Sequence, residues 1–186
     1  MSTQAQMHEE KMFRNSVAMT VTLISFAMLF ATMFLGFFLV RFNTAVWPPV
    51  EIQQMPMVLP LISTLIMGLS SFTYWRMEKL ENERKRYWRY TFFLGVSFLA
   101  VQWVLWETMT ARGILVANGH VPSMVIAFTW VHAAHILMGL GALLWLGRFV
   151  FKKKEDLTEI KLLNVGKFWH FLGIVWLLMY LLMFVL

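Results

Sequence analysis

Three histidines stand inside long apolar stretches: His132, His135 and His170. A neutral imidazole in hydrocarbon can ligate an iron, pass a proton or hydrogen-bond a neighbouring helix. Haem ligation is the sharpest of these options, and spacing argues against it. His132 and His135 share one helix face, and two residues on one helix cannot take opposite axial positions of one iron. His135 would lie roughly 16 Å below one surface, near mid-depth, whereas His170 would lie about one turn from the other. Hydrogen-bonded helix packing is the expectation for the first two, and packing or contact with lipid headgroups for His170. Gln102 is the other central polar group, placed to bond across to a neighbouring helix. Glu107 falls at the end of its span, where a carboxylate is wet.

The elements that must position these residues are apolar and long. Five stretches, 17–40, 57–75, 87–106, 123–151 and 166–186, contain no Asp or Glu. Each approaches or exceeds the roughly 20 residues that a helix needs to cross about 30 Å of hydrocarbon. The expected fold is all-α, a single multi-pass membrane bundle of five transmembrane helices over residues 1–186. Hydrophobic residues make up 59% of the 186 and charged residues 14%, which leaves no room for a soluble domain. The absence of cysteine excludes disulfides and thiolate metal sites.

Of the sixteen basic residues, fourteen fall in the tail and in the second and fourth loops; Arg41 and Arg112 are the exceptions. That asymmetry, rather than a nucleic-acid partner, accounts for the sequence pI of 9.8. It predicts a cytoplasmic N-terminus and a C-terminus outside. Lys152-Lys153-Lys154 reads as a solvated loop attracted to anionic lipid. The polar tail with Glu9 and Glu10 precedes too long an apolar run for a cleavable signal, so the first helix reads as an uncleaved anchor.

Small residues recur on helix faces. Ala18, Thr22, Ser25, Thr32 and Gly36 lie along the first span, and Thr64, Gly68 and Ser71 along the second. Ala127, Ala134 and Gly141 are spaced by seven on the fourth, with Gly139 close by. Such faces let another backbone approach, within the bundle or from another subunit. Trp47-Pro48-Pro49 marks an extended connection, with Trp47 suited to a membrane interface. The many Phe, Trp and Met side chains suit lipid contact and irregular packing.

These landmarks resemble a family. Span one reads ISFAMLFATMF (24–34), followed by Trp47-Pro48-Pro49. Span two reads LPLISTLIMGLSS (59–71), and span three LGVSFLAVQ (94–102). Span four carries TWVHAAHILMG (129–139), similar to T-G-x-H-x-x-H-x-x-x-G. Span five carries WHFLGIVWLLMY (169–180), similar to W-H-F-V-D-x-V-W-L. Together they resemble subunit III of haem-copper oxidases, in the five-helix form that lacks the first two helices of longer members. Gln102, His132, His135, Trp169 and His170 match the family pattern. Three usual acids do not: Phe26, Leu105 and Gly173 stand in their places.

The resemblance implies a non-catalytic subunit of a cytochrome c oxidase in aerobic respiration. It implies haem and copper in partner subunits and none in this chain, with phospholipid bound between helix groups. It implies packing beside subunit I, with subunits II and IV and a larger respiratory supercomplex as further partners, in a bacterial inner membrane. It also implies support for proton uptake and a lipid-lined route for oxygen. An accessory subunit of a nitric oxide reductase or quinol oxidase is the alternative within the superfamily. A membrane b-type cytochrome is the alternative from another class. A small transporter is disfavoured, because no buried charges or paired broken helices are present.

Overall fold

The computed structural model describes residues 3–44, 57–114, 119–151 and 159–185. The described chain is helical. Helix α1 is Thr3–Asn43, α2 is Val58–Lys79, α3 is Arg84–Ala111, α4 is His120–Phe151 and α5 is Glu159–Tyr180, prolonged by a π turn at Leu181–Val185. All five are long and apolar enough to cross a membrane.

The helices overrun the spans expected from hydropathy, because a helix need not stop where the hydrocarbon does. α1 already includes most of the polar tail, and α5 begins at Glu159, seven residues before the apolar run. α3 continues through Ala111, so the third connection is shorter than the gap between the expected spans 87–106 and 123–151. It leaves α3 through Gly113, whose φ of 74° is left-handed and suits glycine. α2 and α3 meet in a short 3-10 turn at Glu81–Glu83, which makes them an antiparallel hairpin.

Contacts close a ring: α2 on α3, α3 on α4, α4 on α5, and α5 back on α2. α1 stands outside the ring and packs only on α4 and α5 among the principal contacts. Its inward face is a ladder of phenylalanines. Phe26 and Phe30 meet His135, while Phe34 and Phe37 meet Phe128. These residues recur every three or four positions, one helical face. The small residues of α1 lie elsewhere. Ala18, Thr22, Ser25 and Thr32 are exposed. The hydroxyls of Thr22, Ser25 and Thr32 donate to carbonyls of their own helix, at 2.9, 3.0 and 2.6 Å.

The ring is packed around tryptophans. Trp169 of α5 is fully buried between two glycines on facing helices. A Cβ on Gly95 of α3 would lie 2.8 Å from Trp169 Cη2, and a Cβ on Gly139 of α4 would lie 3.0 Å from Trp169 Cζ3. Here the absence of a side chain makes room for an indole, not for a second backbone.

Of the expected packing positions, Gly139 performs that role and Gly36 touches Met124 at an ordinary 3.8 Å. Gly68, Ala127, Ala134 and Gly141 do not pack this bundle. All four are exposed, and a Cβ on Gly68 or Gly141 would meet nothing within 4 Å. The correction on α4 is a matter of phase: Ala133, not Ala134, is buried, and the inward face is the one that carries His132, Ile136, Gly139 and Leu143. Trp47 lies outside the described residues.

Candidate functional site

The interior polar groups form a set of inter-helix ties. Each of four tryptophans donates its indole N–H to a different helix. Trp169 reaches Ser70 Oγ at 3.2 Å, and Trp176 reaches Thr64 Oγ1 at 3.1 Å, joining α5 to α2. Trp88 reaches the Leu143 carbonyl at 2.8 Å, and Trp106 reaches Thr129 Oγ1 at 3.0 Å, joining α3 to α4. Tyr74 donates to the Leu162 carbonyl at 2.8 Å. Between α2 and α3, Ser70 donates to the Thr91 carbonyl at 3.3 Å and the Thr73 and Thr91 hydroxyls pair at 2.9 Å. The hydroxyls of α2 therefore serve as acceptors for large partners. A tryptophan buries a large apolar surface yet must place one N–H, and a facing Ser or Thr solves both requirements.

Gln102 is fully buried on α3 and donates from Nε2 to Ser63 Oγ of α2 at 3.1 Å, while Ser63 donates to Leu59 O at 3.0 Å. The expected bond from Gln102 to a neighbouring helix is present.

The histidines behave differently from one another. His132 is fully buried, and neither ring nitrogen finds a hydrogen-bond partner among the described residues. Instead its ring packs against Trp176 at 5.4 Å, Phe98 at 5.8 Å and Phe30 at 6.1 Å between centroids. His135 donates from its Nδ1 to the Val131 carbonyl of its own helix at 2.7 Å. Its ring receives Phe26 edge-on at 4.6 Å. Among the described residues neither ring bonds to another helix, and both pack through their rings. His170 lies half-buried against the edge of Tyr74, away from the other two. Among the described residues, no group of three or more His, Asp or Glu side chains could hold a metal ion.

The three substituted acidic positions are placed as follows. Phe26 covers His135, Leu105 is fully buried, and Gly173 faces Ser71, whose Oγ would lie 2.9 Å from an added Cβ. Glu107 is exposed near the end of α3, as expected. A carboxylate that sequence reasoning left in a loop is Glu78. α2 runs on to Lys79, and Glu78 is half-buried in close contact with Gly166.

Among the described residues, cavities open on the bundle in at least two places. One, of about 290 Å³, lies between α2 and α5, with Met67, Gly68, Ser71, His170, Gly173 and Leu177 in its wall. The other, of about 240 Å³, lies where the end of α1 meets His120, lined also by Leu39, Val40, Asn43 and Thr44.

Part of this set, Ser63, Thr64, Ser70, Gln102, Thr129, Trp169 and Trp176, falls within the motifs that carry the resemblance, and whole-chain comparison decides its meaning. The family model for cytochrome c oxidase subunit III matches residues 3–186. The chain belongs to that family. Similar proteins include a probable cytochrome c oxidase subunit 3 of Nocardia farcinica, 28% identical over 168 residues, 87% of this chain and 82% of the relative. A haem-copper oxidase subunit I+III of Aeropyrum pernix is 28% identical over 181 residues; this spans 88% of the present chain but only 22% of that longer polypeptide. A probable quinol oxidase subunit 3 of Staphylococcus haemolyticus is 25% identical over 136 residues, 70% of this chain and 67% of the relative. As a subunit III, the chain is a membrane protein of the haem-copper oxidase assembly.

Proposed function

We propose that this subunit III is non-catalytic and serves a cytochrome c oxidase of aerobic respiration by packing beside subunit I and retaining phospholipid. The observation that carries this reading is how the interior is used. Its buried Trp, Tyr, Ser, Thr and Gln groups are mostly consumed in tying one helix to the next. The positions where the family usually has carboxylates hold Phe26, Leu105 and Gly173. A proton route through the chain would lack its usual groups, while packing and lipid contact need none of them. His132 is enclosed by the rings of Phe30, Phe98 and Trp176. In this reading haem and copper belong to the partner subunits.

Association with subunit I is supported by the Aeropyrum relative, whose printed name joins subunits I and III in one polypeptide. Subunits II and IV and a larger respiratory supercomplex are the further partners. The largely apolar cavity of about 290 Å³ between α2 and α5 is suited to an acyl chain. The basic ends of α2, α3 and α5 would meet lipid headgroups on the cytoplasmic face of a bacterial inner membrane, with the C-terminus outside. The quinol oxidase reading is favoured by one observation, the Staphylococcus relative.

The test is deletion of this chain from its host. The remaining oxidase should retain its metals and its initial turnover, lose phospholipid and inactivate faster during turnover. Loss of haem from the remaining complex, or unchanged lipid content and lifetime, would contradict the proposal.

A further inference from the structure

Among the hydroxyls of α2, Ser71 stands apart. Ser63 and Thr64 donate to carbonyls one turn back, at 3.0 and 2.8 Å. Ser70 donates to the Thr91 carbonyl at 3.3 Å, and Thr73 to the Ser70 carbonyl at 2.8 Å. Ser71 makes no hydrogen bond among the described residues, and its Oγ lies against Gly173 of α5. His170 stands one turn before Gly173 and is half-buried. Its ring meets that of Tyr74 at 5.7 Å between centroids, and its nitrogens bond to nothing among the described residues.

Both side chains stand in the wall of the cavity of about 290 Å³ between α2 and α5. The rest of that wall is apolar or already satisfied. Met67, Gly68, Gly173 and Leu177 offer no strong side-chain donor or acceptor, and Thr64 and Trp176 are paired with each other. An acyl chain suits the apolar part and leaves the hydroxyl and the imidazole unanswered.

Depth restricts what can answer them. The apolar run of α2 ends at Trp75, and that of α5 begins at Gly166. Ser71 and His170 each lie four residues inside, roughly 6 Å. The phosphate and ester groups of a phospholipid belong to the interfacial layer outside the hydrocarbon. Drawing a charged group inward is costly. The wall supplies no Lys or Arg to meet a phosphate. Glu78 would oppose one: it lies two turns from Ser71 on the same face of α2, close against Gly166. A flat, uncharged ring with carbonyls on its edge and an apolar tail meets none of these objections. The cavity volume, at the lower end of small-ligand sites, admits one such ring.

We propose that the cavity between α2 and α5 binds the ring head of an isoprenoid quinone through Ser71 and His170. A ring carbonyl accepts from the Ser71 hydroxyl and from the imidazole N–H. In the quinol form, a ring hydroxyl donates to the bare nitrogen of His170. The tail leaves past Gly68, which is exposed, into the lipid. The site binds, and it assigns no electron transfer to this chain. It depends neither on phospholipid retention nor on the electron donor of the oxidase.

The test uses the intact assembly in nanodiscs of phosphatidylethanolamine and phosphatidylglycerol. A photoreactive azido-benzoquinone with a prenyl tail should label peptides covering 64–71 and 170–177, and excess decyl-benzoquinone should suppress that label. Gly68→Leu should abolish the labelling with Tm unchanged, because an added Cβ meets nothing within 4 Å and the longer side chain fills the cavity. Ser71→Ala and His170→Phe should each weaken the apparent affinity about fivefold, the loss of one hydrogen bond. No label on these peptides, full labelling of Gly68→Leu, or an unchanged affinity when both polar groups are removed would overturn the site. Labelling of the same peptides by a photoreactive phospholipid that decyl-benzoquinone does not displace would also overturn it, while leaving phospholipid retention standing.

Discussion

Gly139→Leu should be strongly destabilising, and the reason lies in Trp169. A Cβ at position 139 would stand 3.0 Å from both Leu172 Cδ1 and Trp169 Cζ3, and 3.1 Å from Trp169 Cε3. The indole cannot retreat. Its far edge lies close against Gly95, where even a methyl would stand 2.8 Å away, and its N–H is held by Ser70 at 3.2 Å. Overpacking a closed core costs about 1–3 kcal/mol. Losing the indole bond adds about 1 kcal/mol. Better helix propensity of Leu over Gly returns somewhat less than 1 kcal/mol. The net cost is about 2 kcal/mol, or a fall in Tm of about 4–8 °C for a chain of this size. Ala134→Leu is the matched control, because Ala134 is exposed on the same helix and its change should stay within about 0.5 kcal/mol in the isolated subunit. The assay is thermal unfolding of the detergent-solubilised subunit, followed by tryptophan fluorescence. An unchanged Tm for Gly139→Leu, or an equal fall for Ala134→Leu, would refute this packing.

Three other expectations follow from named contacts. Phe30→Ala should cost about 3–5 kcal/mol, since Phe30 is fully buried and anchors α1 on both His132 and His135; protease sensitivity of α1 against that of the ring checks it. Trp176→Phe keeps the ring contact with Phe98 but removes the bond to Thr64, so it should cost about 1 kcal/mol and be nearly neutral in a Thr64→Val background. Reporter fusions should place Arg84 and Lys161 in the cytoplasm and the C-terminus outside, following the basic asymmetry; a cytoplasmic C-terminal reporter would overturn that orientation.

The number of spans was legible because hydrophobic length alone selects a membrane helix. The inward faces were less so. In a soluble helix, polarity separates the outer face from the inner one; in lipid both faces are apolar, and the pattern loses its contrast. Small residues were the remaining cue, and on α1 and α4 most of those singled out marked the outside, Gly36 and Gly139 excepted. The useful signals were the phenylalanine spacing at Phe26, Phe30, Phe34 and Phe37 and the need of each buried tryptophan for a hydroxyl or carbonyl. Gln102 was readable, since a mid-span amide has few options beyond a neighbouring helix. The aromatic setting of His132 was not, because its partners Phe30, Phe98 and Trp176 come from three other helices. Glu78 was missed because charge suggested a loop where the helix continues to Lys79.

The exposed stripe of Ala127, Ala134 and Gly141 gives the Ala134→Leu variant a second use. Within the subunit it should be silent. A loss of assembly in the same variant would place a partner helix on that face.

The central claim is that this chain is an accessory part of a haem-copper oxidase and holds no metal of its own. Affinity purification of the tagged chain from its native membranes, with mass analysis of the assembly and metal analysis of each separated subunit, tests it most directly. The account predicts stoichiometric recovery with a haem-copper subunit I and all haem and copper in the partner subunits. One equivalent of haem or copper retained by this chain and lost on His132→Ala or His135→Ala, or an assembly without a haem-copper subunit, would contradict it.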